Sequence, residues 1–195
     1  LRGDFQNQKY RLEDKLLKTF PEEIQKQKTR IAALQQDSQI AAAHPQDKEN
    51  FCGMTIKGMV YDDKKAAGER LLLARQEMPN ADMTLLGTYR GFELNIRFDS
   101  FKNEHQAVLR AELSYPVSLG DDARGNITRL DNAIDNFADR IADAENALQN
   151  LEQQKQAAEV EVAKPFAQEE ELQTKSARLA ELDALLNMEH QSSRT

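Results

Sequence analysis

Cys52 is the only cysteine in this chain, so no intrachain disulfide can form and no second thiolate is available to complete a cysteine-based metal site. That usage fits a reducing cytoplasm. Tryptophan is missing altogether, charged residues make up 30% of the sequence, and no apolar run approaches the roughly 20 residues needed to span a bilayer. No membrane partner is expected. A secretory signal is also lacking: the chain starts on Leu1, without an initiator methionine, and enters a polar helical pattern at once. It reads as a fragment of a longer polypeptide.

Positive charge is scarce where the sequence is most regular. The net charge is −7 over 195 residues, and residues 121–162 hold 4 basic and 10 acidic side chains. Phosphate binding depends on Lys and Arg displacing counterions, so this stretch is a poor surface for a polyanion. What it does carry is an apolar ladder: Ile127, Leu130, Ile134, Phe137, Ile141, Ala144, Leu148, Leu151, Lys155, Ala158 and Val162. Alternating steps of three and four residues place these on one stripe of a helix about 50 Å long, at about 1.5 Å per residue. Lys155 alone interrupts it, as a side chain that snorkels or sets helix register rather than a site.

Such a stripe needs a partner. Leu17, Phe20, Ile24, Gln27, Ile31, Leu34, Ser38 and Ala41 repeat the spacing more weakly, inside a first helix expected from Asp4 to Ala42. Pro21 either kinks that helix or follows a new start, with Thr19 and Glu22 as a capping pair. One chain supplies both stripes, so antiparallel pairing within it is expected ahead of a homodimer.

Between the stripes the pattern changes. Residues 44–50 are polar, contain Pro45 and read as a loop. Residues 54–57 and 59–61 flank Gly58 as a short strand pair or bulged strand, and Asp62 or Asp63 can cap a helix from Lys64 to about Glu77, ending near Pro79 and Asn80. Phe92, Leu94, Ile96 and Phe98 alternate with polar residues, as do Leu109, Ala111, Leu113 and Tyr115. Period-two alternation predicts an antiparallel hairpin with one apolar face, covered by the 64–77 helix. Asn126 or Asp122 caps the ladder helix, which stops or kinks near Pro165. A last helix follows with Leu172, Leu179, Leu182 and Leu186 on one face, and the tail from His190 reads as disordered.

The expected fold class is therefore α+β and mostly helical: a long antiparallel coiled-coil stalk carrying a small antiparallel-sheet-plus-helix insert. Residues 1–43 form the first stalk helix, 51–120 the insert, 121–188 the ladder and C-terminal helices, and 189–195 a disordered tail.

Chemistry is hard to find. Residues 53–58 mimic the glycine spacing of a phosphate loop, but Met59 and Val60 stand where Lys and Ser/Thr are needed, so a structural turn is expected. His44, His105 and His190 lie far apart, without metal-ligand spacing. Asp131, Asp135 and Asp139, four apart, read as a solvated acidic face. The triplet Arg2-Gly3-Asp4 spells an integrin ligand by chance. No catalytic, cofactor or metal residue is assigned. Arg90, Arg97 and Arg110 are the candidate nucleic-acid contacts, Arg97 and Arg110 on the open sheet face, although Glu93 and Glu112 share that face and no aromatic pair stands ready for base stacking.

Three groups of residues together carry a resemblance. They are Tyr89-Arg90-Gly91-Phe92; then Ser118-Leu119-Gly120 leading to Gly125-Asn126-Ile127-Thr128-Arg129-Leu130-Asp131-Asn132-Ala133; then Lys164-Pro165-Phe166 with Glu169-Glu170-Glu171-Leu172 and Ala180-Glu181-Leu182-Asp183. Over nearly its whole length the chain resembles the C-terminal region of very large Swi/Snf-type helicase and DNA-methyltransferase fusion proteins of bacterial conjugative elements. Their ATP-binding loop, acidic helicase box and methylase motif have no counterpart here, so no catalytic residue is carried over. The resemblance implies a bacterial, cytoplasmic, non-catalytic accessory domain that docks on the rest of its parent or on a protein partner, while ATP-dependent helicase or methylase activity and nucleic-acid binding reside in the parent. Two alternatives stay open: an auxiliary DNA-contacting module using the sheet face, and a homodimerising coiled coil, the chain being a monomer or a weak homodimer.

Overall fold

The computed structural model describes residues 2–47, 50–78, 82–164 and 169–192. It falls into two compact units, Gln25–Gln149 and the combination of Leu1–Ile24 with Asn150–Thr195. In the second of these, α1 (Arg2–Asp14) continues through a π-helical stretch at Lys15–Thr19 into α2 (Phe20–Ala43). The backbone N–H of Phe20 reaches the carbonyl of Lys15, five residues back. This wider turn stands just before Pro21, whose ring lacks an N–H and would crowd the carbonyl four residues earlier; the chain absorbs the proline without ending the helix. The far end of α5 (Phe137–Ala163) and α6 (Glu169–Ser192) complete the unit. Its surface carries Leu17, Leu179 and Leu182 exposed, whereas Ala158 is buried. No helix among the described residues is long and apolar enough to cross a membrane.

Residues 25–149 are built on a sheet. Its strands are β1 (Met54–Ile56), β2 (Met59–Tyr61), β3 (Thr84–Tyr89), β4 (Phe92–Asp99), β5 (Glu104–Arg110) and β6 (Ser114–Ser118). All pairs are antiparallel, in the order β2-β1-β3-β4-β5-β6. One face is apolar. Ile56, Phe92, Leu94, Ile96, Ala107, Leu109, Tyr115 and Val117 pack there with Ala67, Leu71 and Ala74 of α3 (Lys64–Gln76) and with Ile127, Leu130 and Ile134 of α4 (Ala123–Asp135). Each large side chain fully buried in this way contributes on the order of 2 kcal/mol. Gly68 makes the α3–α4 crossing close: a Cβ there would lie 2.1 Å from the carbonyl oxygen of Ala123. Asp63 caps α3 by accepting the Ala66 N–H, and Asp122 caps α4 by accepting the Gly125 N–H. Each such cap is worth about 1 kcal/mol.

The expected fold class is overturned. A six-stranded antiparallel sheet replaces the small insert, and no coiled-coil stalk is shown. The three-four spacing was a true sign of one apolar face, but spacing does not say what covers that face. Ile127, Leu130, Ile134, Phe137 and Ala144 all enter the same core as Phe92, Leu94 and Ile96, so the sheet is the cover. Nor is the ladder one helix: it breaks at Asn136 (φ −96°, ψ 25°) between α4 and α5.

The strand pattern needs correction too. The alternation from Leu109 to Tyr115 spans a turn, because β5 ends at Arg110 and β6 starts at Ser114. Strand β3 was not expected at all. A bulge between Leu85 and Gly87 shifts its register, so its inward residues Leu86 and Tyr89 are three apart instead of two. Pro79, Asn80, Pro165 and the tail residues 193–195 lie outside the described residues, while α6 is helical to Ser192.

Candidate functional site: a locked turn beside an acidic groove

Tyr89 and Phe92 pair across the two-residue turn Arg90-Gly91, in which φ is 48° and 81°. Two positive φ values make a type I′ hairpin, whose twist matches that of the strands it joins. Glycine adopts this conformation freely; an arginine does so at about 1 kcal/mol. What the strain delivers is a guanidinium placed inside the protein, with the Arg90 side chain only 3% exposed.

Three donors of that guanidinium are matched. Nη1 donates to Asp131 Oδ1 at 3.2 Å, Nη2 to Asp135 Oδ1 at 2.7 Å, and Nε to the His44 carbonyl at 2.9 Å. The Tyr89 hydroxyl donates to the same Asp131 Oδ1 at 2.7 Å, and Lys64 Nζ stands 3.9 Å from Asp131 Oδ2. One hairpin turn is thereby fastened to α4 and to the end of α2.

The electrostatics point away from catalysis by these groups. Burial, then the hydrogen bond and charge of Asp131, push the Tyr89 hydroxyl far above its ordinary range, so it stays protonated. Burial opposes the charge on Arg90, but Asp135 and Asp131 outweigh it and hold the guanidinium charged. Nearby, burial raises the Cys52 thiol in spite of Arg90. A reactive cysteine needs the opposite shift.

Around this lock the surface is concave. A cleft of about 690 Å³ is lined by Gln46, Asp47, Asn50, Phe51, Asp62, Asp63, Lys64, Thr128, Asp131, Asn132 and Asp135. A second, of about 370 Å³, is bordered by Arg90 and Asp135 between the end of α2 and the start of α5, and shares Gln46 and Asp135 with the first. Among the described lining residues, five aspartates against one lysine make the larger cleft acidic. Among the described residues, no group of three His, Cys, Asp or Glu is arranged to hold a metal ion.

Another tie, which sequence reasoning missed, lies at the same end of the central strands, where Arg110 of β5 stands opposite Glu93 of β4. Asp37 of α2 is fully buried and accepts hydrogen bonds from the Glu112 and Leu113 N–H groups at 2.9 and 3.0 Å and from the Tyr115 hydroxyl. It holds the turn between β5 and β6. Tyr115 in turn meets Phe92 and Phe137 edge-on, and the Arg140 guanidinium lies 4.9 Å from its ring centroid.

The residues singled out from sequence are thus distributed unequally. Arg90 is enclosed by its partners. Arg97, half-buried on the outer sheet face, donates from Nε and Nη2 to Gln106 Oε1, whose amide in turn bonds Asp99 and Glu104. Arg110 is exposed and sits opposite Glu93. The three arginines do not converge on one surface. Residues 53–58 form β1 and a second type I′ turn, Lys57-Gly58, as a structural reading required. Of the three aspartates read as a solvated face, Asp139 is exposed, but Asp131 is buried and Asp135 is bound to Arg90.

The first two of the segments that carried the resemblance meet in space. Tyr89 and Arg90 bind Asp131; Gly120 and Asn126 bond each other twice, at 2.8 and 3.0 Å; and Arg129 Nη1 donates to the Ser118 carbonyl. These residues fasten the sheet to α4. Comparison with family models, curated proteins and solved structures gives no match.

Proposed function

We propose that the chain is a non-catalytic accessory module that docks on a protein partner through the acidic cleft, receiving a lysine- or arginine-rich segment. The observation that carries this reading is the wall itself: among the described residues, Asp47, Asp62, Asp63, Asp131 and Asp135 border one cleft with Lys64 as the one cation. Its floor is held rigid by the Tyr89–Arg90–Asp131 lock, so a ligand meets a preformed surface, which lowers the entropic cost of binding. Charge complementarity would set orientation and on-rate more than affinity. The parent we propose is the helicase or methylase of a bacterial mobile element, acting in the cytoplasm; support for it is confined to the motif resemblance. The reading frame upstream of Leu1 tests that part, since helicase and methylase motifs there would uphold it and a start codon just ahead would overturn it.

The runner-up is direct DNA contact by the outer sheet face. Exposed Arg110 favours it; Glu93 opposite that arginine and the engagement of Arg97 by Gln106 weigh against it. One titration decides between the two. An arginine-rich peptide and a short DNA duplex are added separately to the isotope-labelled chain at low and at moderate salt. Docking predicts salt-sensitive peptide shifts at residues 46–51, 62–64 and 128–135. Duplex shifts on β4 and β5, lost in Arg97→Ala/Arg110→Ala, would instead establish the runner-up. Peptide shifts absent from the cleft at low salt, or ATP hydrolysis by the isolated chain, would end the docking proposal. A strict monomer in concentrated solution removes the homodimer alternative.

A further inference from the structure

Two arginines elsewhere are arranged differently from the three already discussed. Gln27 and Arg30 of α2 and Arg140, Asp143, Ala144 and Ala147 of α5 line a pocket of about 200 Å³. Neither Arg30 nor Arg140 has a carboxylate within ion-pairing distance or a side-chain hydrogen bond among the described residues. The Arg140 Nε–H is the sharper observation: it is a buried donor with no acceptor. A buried polar group left unmatched costs about 1–3 kcal/mol, more if charged, so such groups are usually completed by something. Arg140 is also held in place, its guanidinium resting 4.9 Å from the centroid of the Tyr115 ring, whose hydroxyl is bonded to Asp37.

We propose that Arg30 and Arg140 form an oxyanion site that binds a phosphate group in the pocket between α2 and α5. Two guanidinium forks offer more donors than a single carboxylate can accept, whereas a tetrahedral phosphate has oxygens enough for both. Gln27 adds an amide donor at the rim. Asp143 is the one opposing charge in the lining, and it weakens anion binding there without pairing with either arginine. The site is independent of the acidic cleft and of any partner bound there. It also moves the proposed phosphate contact from the sheet face, where Arg97 is engaged by Gln106, to a helical groove whose two arginines have no carboxylate partner among the described residues.

Arginine-detected nuclear magnetic resonance tests this on the full chain. Inorganic phosphate, pyrophosphate, acetate and a short DNA duplex are titrated separately while the side-chain Nε–H signals are followed. Phosphate and pyrophosphate are expected to shift Arg140 and Arg30 selectively and saturably. Arg140→Gln and Arg30→Gln should each weaken binding at least about tenfold, and Arg140→Lys, which keeps charge but loses the Nε donor, should weaken it too. Arg124→Gln, on an exposed position of α4, should leave it unchanged. A duplex acting on the same two signals at far lower phosphate concentration identifies the source as a nucleic-acid backbone; phosphate acting alone identifies a free small molecule. Because Arg140→Gln also removes a ring contact, Arg30→Gln and the melting temperature of each variant separate lost binding from lost folding. The proposal is overturned by an unmoved Arg140 signal at high phosphate, by acetate acting as strongly as phosphate, or by equal affinity in a folded Arg30→Gln variant.

Discussion

Tyr89 with Asp131 and Tyr115 with Asp37 make the same bond, from a strand hydroxyl to a helix carboxylate, under different electrical conditions. Asp131 faces two cations, Arg90 and Lys64, and borders an open cleft. Asp37 is completely enclosed and is matched by two backbone N–H groups and the tyrosine, with Arg140 reaching only the ring. The difference separates two ways of burying a carboxylate. One neutralises it with a countercharge that can be removed or screened; the other surrounds it with dipoles belonging to a backbone turn. The second tolerates less change, because the turn loses its own hydrogen bonds when the carboxylate goes.

The largest effect is therefore expected at Asp37. Replacing it by Ala leaves two N–H groups and a hydroxyl without acceptors, and should cost about 3–4 kcal/mol in urea unfolding. Asn, which keeps one acceptor, should recover part of that loss. Second comes Arg90→Ala, expected to cost about 2–3 kcal/mol because Asp131 is left buried beside fewer donors. Arg90→Gly sharpens the reading: glycine fits the φ of 48° without strain, so it should be about 1 kcal/mol more stable than the alanine variant. Should Arg90→Ala prove costlier than Asp37→Ala, the ranking of backbone dipoles over a countercharge is wrong.

How much of this was legible in the sequence depends on what a pattern can encode. The alternation of Phe92, Leu94 and Ile96 announced β4, and Asp63 and Asp122 stood where helix caps belong, since both signals are local. The ladder announced an apolar face and hid its partner. Strand β3 escaped because its bulge breaks the period, and β6 because Leu109 to Tyr115 keeps alternating through a turn. The two ties were the least visible. Asp37 looks like any polar residue beside Leu34 and Ser38, and only the return of residues 112–115 to α2 gives it a role. Asp131 looked like one of three solvated aspartates; the left-handed turn that carries Arg90 to it lies 41 residues away in sequence. Arg90 in Tyr-Arg-Gly-Phe was the available hint, because an Arg-Gly pair between two alternating runs fits a type I′ turn.

Removing the hydroxyls alone gives a smaller contrast. Tyr115→Phe should cost about 1–2 kcal/mol and Tyr89→Phe about 1 kcal/mol, since Asp131 retains Arg90 while Asp37 has no countercharge to fall back on. Equal costs would mean that the countercharge contributes nothing to the difference between the ties.

High pH gives the finest test. Burial first, and then the bonded aspartate, raise both tyrosine hydroxyls above the ordinary value of 10.0. A tyrosine with a raised folded pKa keeps its proton in the native state, while the unfolded chain releases it near its ordinary value. The stability these groups contribute is therefore fully present below about pH 10 and declines as pH rises beyond it, with a slope approaching about 1.4 kcal/mol per pH unit for each tyrosine. Between pH 9 and 10.5, on the order of the range where that slope sets in, the total change should stay below about 1 kcal/mol for each site. Urea midpoints across this range should fall for the wild type, less for either Tyr→Phe variant, and least for the double variant. Both hydroxyls keep their protons in the folded chain across this range, so the decline is set by the unfolded tyrosines, and Arg90→Ala, which removes a charge that lowers the Tyr89 value, should leave its steepness unchanged. A double Tyr→Phe variant that declines as steeply as the wild type would place the alkaline sensitivity outside both ties.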